Sequence, residues 1–74
     1  MRPYLNLSGD SGIEAWNPGP DFIDVKYHAK TYRYSYRGVG RGHVERMKEL
    51  AAAGRGLGTY INQHPEVKNG YDRD

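Results

Sequence analysis

The sequence contains no cysteine in its 74 residues. Disulfide bonds and thiolate metal ligands are therefore excluded, and the chain needs no oxidising compartment in order to fold. No stretch approaches the roughly 20 apolar residues of a membrane-spanning helix, and no apolar run typical of a signal peptide follows Met1. The chain has room for one small core, which leaves little space for a buried catalytic cleft. We therefore expect a single-domain cytoplasmic protein that is not an enzyme and holds no metal or other cofactor.

Positive charge is concentrated in the middle of the chain, although the net charge of the whole molecule is only +2. Residues 1–25 sum to −3, residues 26–55 to +6 and residues 56–74 to −1. A cationic segment of this kind attracts an anionic partner. The alternative is an ordinary solvated surface, because net charge alone says nothing about fold.

Two segments alternate apolar and polar residues with a period of two, which is the pattern of half-buried strands. The alternation runs over residues 22–28 and 31–37, and the two segments are close enough to form a hairpin. Residues 12–16 alternate more weakly and predict a first strand before the turn at residues 17–21. The apolar faces of the two clearer strands carry Ile23, Val25 and Tyr27, and then Tyr32, Tyr34 and Tyr36.

After residue 37 the period changes to that of a helix. Glycines at positions 38, 40 and 42 break the strand, and residues 43–53 place apolar side chains three and four positions apart. Gly54 suits the end of that helix, and residues 59–63 predict a short second helix that ends before Pro65. The predicted fold is α+β: a three-stranded antiparallel meander covered on one face by a helix and a short terminal helix, in the order β-β-β-α-α.

The predicted domain spans residues 11–64, between an N-terminal arm at 1–10 and a polar, flexible tail at 65–74. Trp16 is interpreted either as a lid over the margin of the core or as an exposed anchor for a partner. The predicted core residues are Ile13, Ala15, Ile23, Val25, Tyr27, Tyr32, Tyr34, Tyr36, Val44, Met47, Leu50, Ala51, Leu57, Tyr60 and Ile61.

The order of these segments resembles the KTSC domain, a small bacterial module named after the C-terminus of some lysyl-tRNA synthetases. The matching features span roughly residues 11–64. They are Ile13-Glu14-Ala15, the alternation of Ile23, Val25 and Tyr27, then Tyr32-Arg33-Tyr34, Val39-Gly40 and Tyr60-Ile61-Asn62. The resemblance implies the α+β fold. RNA binding has been suggested for the family, and no activity is firmly established for it.

A set of basic residues is the first candidate site. Lys26, Arg33 and Arg37 fall on strand positions predicted to face solvent, and Arg41 and Arg46 follow in the loop and the helix. A sheet face that shows cations can follow a phosphate backbone, so we expect contact with nucleic acid, RNA above all, through these five residues. The alternative is a charged face that only prevents aggregation.

The glycine-rich loop is the second candidate site. It lies before a helix N-terminus, where free backbone N–H groups and the helix dipole favour anions. We expect a phosphate to contact Gly40, Arg41, Gly42 and His43, although the same glycines are also consistent with a plain turn.

A second functional hypothesis belongs to another class of protein. The chain could be a small protein-interaction or inhibitory factor of the kind that phages and mobile elements encode, with Trp16 and Tyr71 as its anchors. In either case we expect a monomer or weak dimer.

Overall fold

The computed structural model describes residues 1–7, 9, 12–27 and 30–72. Within them four strands precede four helices, so the predicted α+β class is confirmed. The strands are β1 (Arg2–Pro3), β2 (Ile13–Pro18), β3 (Phe22–Tyr27) and β4 (Lys30–Ser35). The helices are α1 (Tyr36–Val39), α2 (Arg41–Ala53), α3 (Leu57–Gln63) and α4 (Pro65–Lys68).

The strands form one antiparallel sheet in the order β1-β2-β3-β4, so each strand pairs with its neighbour in sequence. The prediction of three strands was therefore wrong by one. The additional strand is β1, in which Arg2 lies opposite Trp16 and Pro3 opposite Ala15. Two residues are too few to show any alternation of apolar and polar side chains, so β1 could not be predicted from the sequence pattern. The predicted N-terminal arm thus contributes a strand, and the adjacent Tyr4 is buried.

The register of β3 against β4 determines which side chains share a face. Val25 lies opposite Tyr32, and Ile23 lies opposite Tyr34. These positions face helix α2, and we call this side of the sheet the inner face. The intervening residues of both strands lie on the opposite, outer face, because side chains alternate along a strand. The turn between β3 and β4 was predicted at residues 29 and 30, within a loop from 28 to 31. Lys30 and Thr31 instead belong to β4, opposite Tyr27 and Lys26. Residues 28 and 29 lie outside the described residues.

Strand β4 ends at Ser35, two residues earlier than predicted. The Ser35 hydroxyl accepts a hydrogen bond from the N–H of Gly38 at 3.0 Å, which caps α1. Tyr36, predicted to continue the strand, is instead the first residue of this helix, and its hydroxyl donates to Glu45 at 2.6 Å. The predicted glycine loop is correspondingly shorter, because Gly38 belongs to α1.

Helix α2 covers the inner face of the sheet with Val44, Met47 and Ala51, all of them buried. It begins at Arg41, two residues before the predicted start, and ends at Ala53 as predicted. Gly54 caps this end and adopts the left-handed conformation with φ +79°. Among the predicted core residues, Ala15 is placed differently, because it pairs with Lys26 on the outer face. The buried apolar residues are Tyr4, Ile13, Trp16, Ile23, Val25, Tyr34, Val44, Met47, Ala51, Leu57, Ile61 and Val67.

The segment expected to be a flexible tail contains helix α4. Its residue Val67 has no exposed surface and belongs to the core. Pro65 occupies the first turn, where a missing N–H costs nothing. The chain then passes beside β4, and the N–H of Asp72 donates to the carbonyl oxygen of Arg33 at 2.7 Å.

Candidate functional site

A cleft of about 410 Å³ lies between the inner face of the sheet and helices α3 and α4. We call it the tyrosine cleft, because four tyrosines contribute to its walls. Strands β3 and β4 supply three of them, the segment after α4 supplies the fourth, and the two helices complete the lining. The residues are Tyr27, Tyr32, Tyr34, Tyr71, Ile61, Asn62, Lys68 and Asn69.

The rings in the tyrosine cleft pack edge to face. The Tyr32 ring lies 5.8 Å from the Tyr27 ring and 4.8 Å from the Tyr71 ring, measured between centroids, with an interplanar angle of 75° in both pairs. This is a preferred arrangement of aromatic pairs and holds the rings in defined positions. Tyr34 is only 3% exposed and belongs to the core, whereas Tyr27, Tyr32 and Tyr71 are half-buried. The latter three therefore offer aromatic surface to a ligand.

The phenol groups of Tyr27 and Tyr34 stay neutral under physiological conditions. Burial raises the pKa of Tyr27 to about 12, with smaller contributions from the nearby phenols of Tyr32 and Tyr4. Burial also raises the pKa of Tyr34. Neutral phenols can donate as well as accept hydrogen bonds. Among the described residues that line the cleft, Lys68 is the one charged group and no carboxylate occurs, so the cleft can hold an aromatic ligand and attract an anionic group through Lys68.

Two of the five basic residues predicted to bind nucleic acid lie on the outer face of the sheet. Lys26 is opposite Thr31, and Arg33 is opposite Asp24. The Arg33 guanidinium donates two hydrogen bonds to the Asp24 carboxylate, at 2.8 and 3.1 Å, and lies 3.8 Å from the centre of the Phe22 ring. Arg33 is therefore held by its neighbours.

The other three predicted basic residues lie on the helices. Arg37 in α1 and Arg41 at the start of α2 are exposed, and Arg46 forms an ion pair of 2.9 Å with Glu49 one turn further along α2. Because α2 packs on the inner face, Arg41 and Arg46 are on the side of the domain opposite Lys26. The structure thus does not bring the five residues together into one surface.

The glycine loop is reduced to Gly40, which separates α1 from α2 and has φ +99°. Helix α2 begins there without a side-chain cap, and Arg41 and Gly42 are exposed beside it. His43 is directed elsewhere, because its Nδ1 lies 2.7 Å from the Tyr60 hydroxyl and its Nε2 lies 3.5 Å from the Glu66 carboxylate. Gly40, Arg41 and Gly42 are therefore the three predicted anion contacts that remain at the exposed start of α2. The fourth, His43, turns its ring towards α3 and α4.

His43 belongs to a polar cluster that joins α2, α3 and α4. The rings of Tyr60 and His64 stack with centroids 4.1 Å apart, and His64 Nδ1 lies 2.7 Å from the Tyr60 carbonyl oxygen. Burial raises the pKa of Tyr60, nearby Glu66 raises it further, and Arg46 opposes the change. The part of the chain that the structure describes contains no group of three His, Asp or Glu side chains that could hold a metal ion. We interpret the cluster as a structural connection between the helices.

Sequence reasoning missed the tyrosine cleft because the cleft depends on the end of the chain. Tyr71 was considered only as an exposed anchor, and Lys68 and Asn69 were assigned to a flexible tail. The available signal was local: Pro65 followed by Glu66 is typical of a first helical turn, and Lys68 suits the last one. The other expected anchor, Trp16, is 5% exposed and faces the core, with the Arg2 guanidinium 5.2 Å from its ring centre.

No helix in the described part of the chain has both the length and the apolar character needed to cross a membrane. Comparisons with family models, curated proteins and solved structures find no match to this chain.

Proposed function

We propose that this protein is a non-enzymatic binding module for single-stranded nucleic acid, RNA above all, and that the tyrosine cleft is its main contact. The observation that carries the proposal is the composition of that cleft: half-buried tyrosine rings, the carboxamides of Asn62 and Asn69, and the ammonium group of Lys68. We propose the KTSC family as its relatives on the grounds of segment order.

Each component of the cleft matches a part of an unpaired nucleotide. Aromatic side chains stack on exposed bases of any sequence, and carboxamides can hydrogen-bond to the edges of bases. Lys68 provides a point charge for a phosphate. Lys30 lies opposite Tyr27 in the register and is exposed, so a second cation stands at the same end of the inner face. A duplex keeps its bases stacked internally and offers none of them to such a cleft.

The decisive experiment measures the affinity for a labelled single-stranded RNA after changes on either face of the sheet. Tyr32→Leu keeps apolar volume but removes the ring, so we expect a loss of about tenfold, since stacking on one base contributes about 1–3 kcal/mol. Tyr32→Phe keeps the ring and should bind nearly as well as the wild type. Lys68→Gln should weaken binding, whereas Lys26→Gln on the outer face should not.

The two lysine variants also separate this proposal from the earlier hypothesis of a basic sheet face. Equal losses from Lys26→Gln and Lys68→Gln would indicate only a diffuse attraction of charge, and unchanged binding by Tyr32→Leu would exclude stacking in the cleft. Circular dichroism and amide dispersion confirm that each variant is folded.

A second candidate function is favoured by an exposed apolar segment at the N-terminus. Met1, Leu5 and Leu7 are 60%, 64% and 57% exposed, which is high for large apolar side chains. We propose these residues, in place of the buried Trp16, as the contact of a protein-interaction factor. A stoichiometric protein partner that resists nuclease and is lost with Leu7→Ser would support this function.

A further inference from the structure

Helix α3 separates the tyrosine cleft from a second, more open groove of about 340 Å³. We call it the arginine groove. Its walls come from α2, from α3 and from the loop between them, and they are Arg46, Leu50, Arg55, Gly56, Thr59, Tyr60 and Gln63. The tyrosine cleft uses Ile61 and Asn62 of the same helix, so the two depressions lie on the two sides of α3.

We propose that a single strand of RNA held in the tyrosine cleft continues across α3 into the arginine groove, where Arg46 and Arg55 bind its phosphates. This inference rests on the proposed function and extends it from one nucleotide to a longer strand. It predicts a second contact whose contribution depends on the length of the ligand.

The surface of α3 suits the passage of a polyanion. None of the seven residues of this helix carries a charge at neutral pH. Its exposed side chains are Thr59, Asn62 and Gln63, all of them neutral hydrogen-bonding groups. A phosphodiester chain crossing α3 would therefore meet a cation on either side and no carboxylate from the helix itself, which is the arrangement that backbone contacts require.

Two carboxylates of the neighbouring helices, in α2 and α4, already have partners. Glu49 is 2.9 Å from the Arg46 guanidinium, and Glu66 is 3.5 Å from His43. Both side chains of the Arg46–Glu49 pair are more than half exposed. Exposed ion pairs of this kind contribute little to the free energy of folding. A phosphate can therefore displace Glu49, since guanidinium binds phosphate in a bidentate manner.

The test compares a dinucleotide with an octanucleotide, oligouridylate in both cases, by amide shifts and fluorescence anisotropy at several salt concentrations. The Arg46→Gln/Arg55→Gln variant should bind the octamer about tenfold more weakly and the dinucleotide as well as the wild type. For the octamer, the slope of log K against log salt should fall in magnitude by about 1.4, since each phosphate of a single strand contributes about 0.7.

A matched control is Lys26→Gln/Arg37→Gln, which removes two charges away from both depressions. Near physiological salt, where screening acts over about 8 Å, this variant should retain its affinity for the octamer. Removing the competing carboxylate with Glu49→Gln should strengthen octamer binding a few-fold and leave the dinucleotide unaffected.

The outcomes distinguish the inference from the function on which it rests. Octamer binding that needs Tyr32 but is unchanged in Arg46→Gln/Arg55→Gln would leave the proposed function standing and overturn the path across α3. Equal losses in the two double variants would overturn the path as well, because only total charge would matter. No binding of any oligonucleotide by the wild type would overturn both.

Discussion

Asp24 and Arg33 face each other across β3 and β4 and are joined by two hydrogen bonds, at 2.8 and 3.1 Å. The Asp24 side chain is 12% exposed and that of Arg33 50%, so this pair lies partly beneath the surface of the outer face. The Phe22 ring lies against the guanidinium and limits its motion. The alternating pattern placed Arg33 on the solvent-facing side and suggested that it binds a ligand. In the structure its guanidinium instead binds the carboxylate of Asp24 on the neighbouring strand.

We therefore expect a measurable coupling free energy between these two residues. In a double-mutant cycle built from Asp24→Asn and Arg33→Gln, the coupling should be about 1 kcal/mol, as for a well-oriented cross-strand charge pair. Urea unfolding of the four proteins gives the value, and high salt should reduce it. A coupling indistinguishable from zero would show that the Asp24–Arg33 pair adds no net stability despite its geometry.

Tyr34 should be the most sensitive of the cleft tyrosines, because it is 3% exposed and packs in the core. Tyr34→Ala should reduce the free energy of unfolding by about 3–5 kcal/mol. A domain of this size has a total stability near the lower end of the usual range, about 5 kcal/mol, so the variant should be largely unfolded. Tyr34→Phe should remain folded, and a well-dispersed amide spectrum from Tyr34→Ala would place the ring outside the core.

Two glycines near the start of α2 should respond in opposite directions to alanine. Gly40 has φ +99°, a conformation that side chains other than hydrogen resist, so Gly40→Ala should destabilise the fold by about 1–3 kcal/mol. Gly42 lies inside the helix, and a Cβ at this position would meet no other atom within 4 Å, so Gly42→Ala should stabilise the fold by about 0.5–1 kcal/mol. Thermal melting of the two variants measures the difference, and a shift of the same sign in both would contradict the assigned helix start.

Alkaline pH should destabilise the protein through Tyr27. The pKa of this phenol is about 12 in the folded state against an ordinary value of 10.0, so the unfolded chain loses the proton first. The stabilising contribution is complete below about pH 10 and is lost as the pH rises towards about 12. Urea midpoints measured across this range should fall, and Tyr27→Phe should reduce the fall. A pH-independent midpoint up to pH 12 would show that Tyr27 titrates as an exposed phenol.

The sequence predicted the parts of the fold that depend on repeated local patterns. Strand β3 and the buried stripe of α2 were found because their periods of two and 3.6 extend over several residues. Helix α1 and strand β1 were missed because they comprise four and two residues, too few for a period to appear.

The candidate site was harder to predict than the fold, because it depends on contacts between distant segments. Alternation placed Tyr32 correctly on the inner face, yet it could not show that Tyr71 would return to within 4.8 Å of the same ring. The pattern likewise placed Arg33 on the outer face without revealing Asp24 as its partner. Residue type and spacing identify the face on which a side chain lies. Whether that side chain can contact a ligand depends on the tertiary contacts that it makes.

The two edge strands, β1 and β4, offer a further strand fewer backbone hydrogen-bonding groups than the edges of aggregation-prone sheets do. In β1, Pro3 has no N–H to donate, and along β4 the carbonyl oxygen of Arg33 already accepts from Asp72. Both sides of the meander are therefore poorly suited to β-augmentation by another copy or by an extended peptide. Recognition of a partner through an added strand, and self-association through a continuous intermolecular sheet, are therefore both disfavoured by the backbone itself.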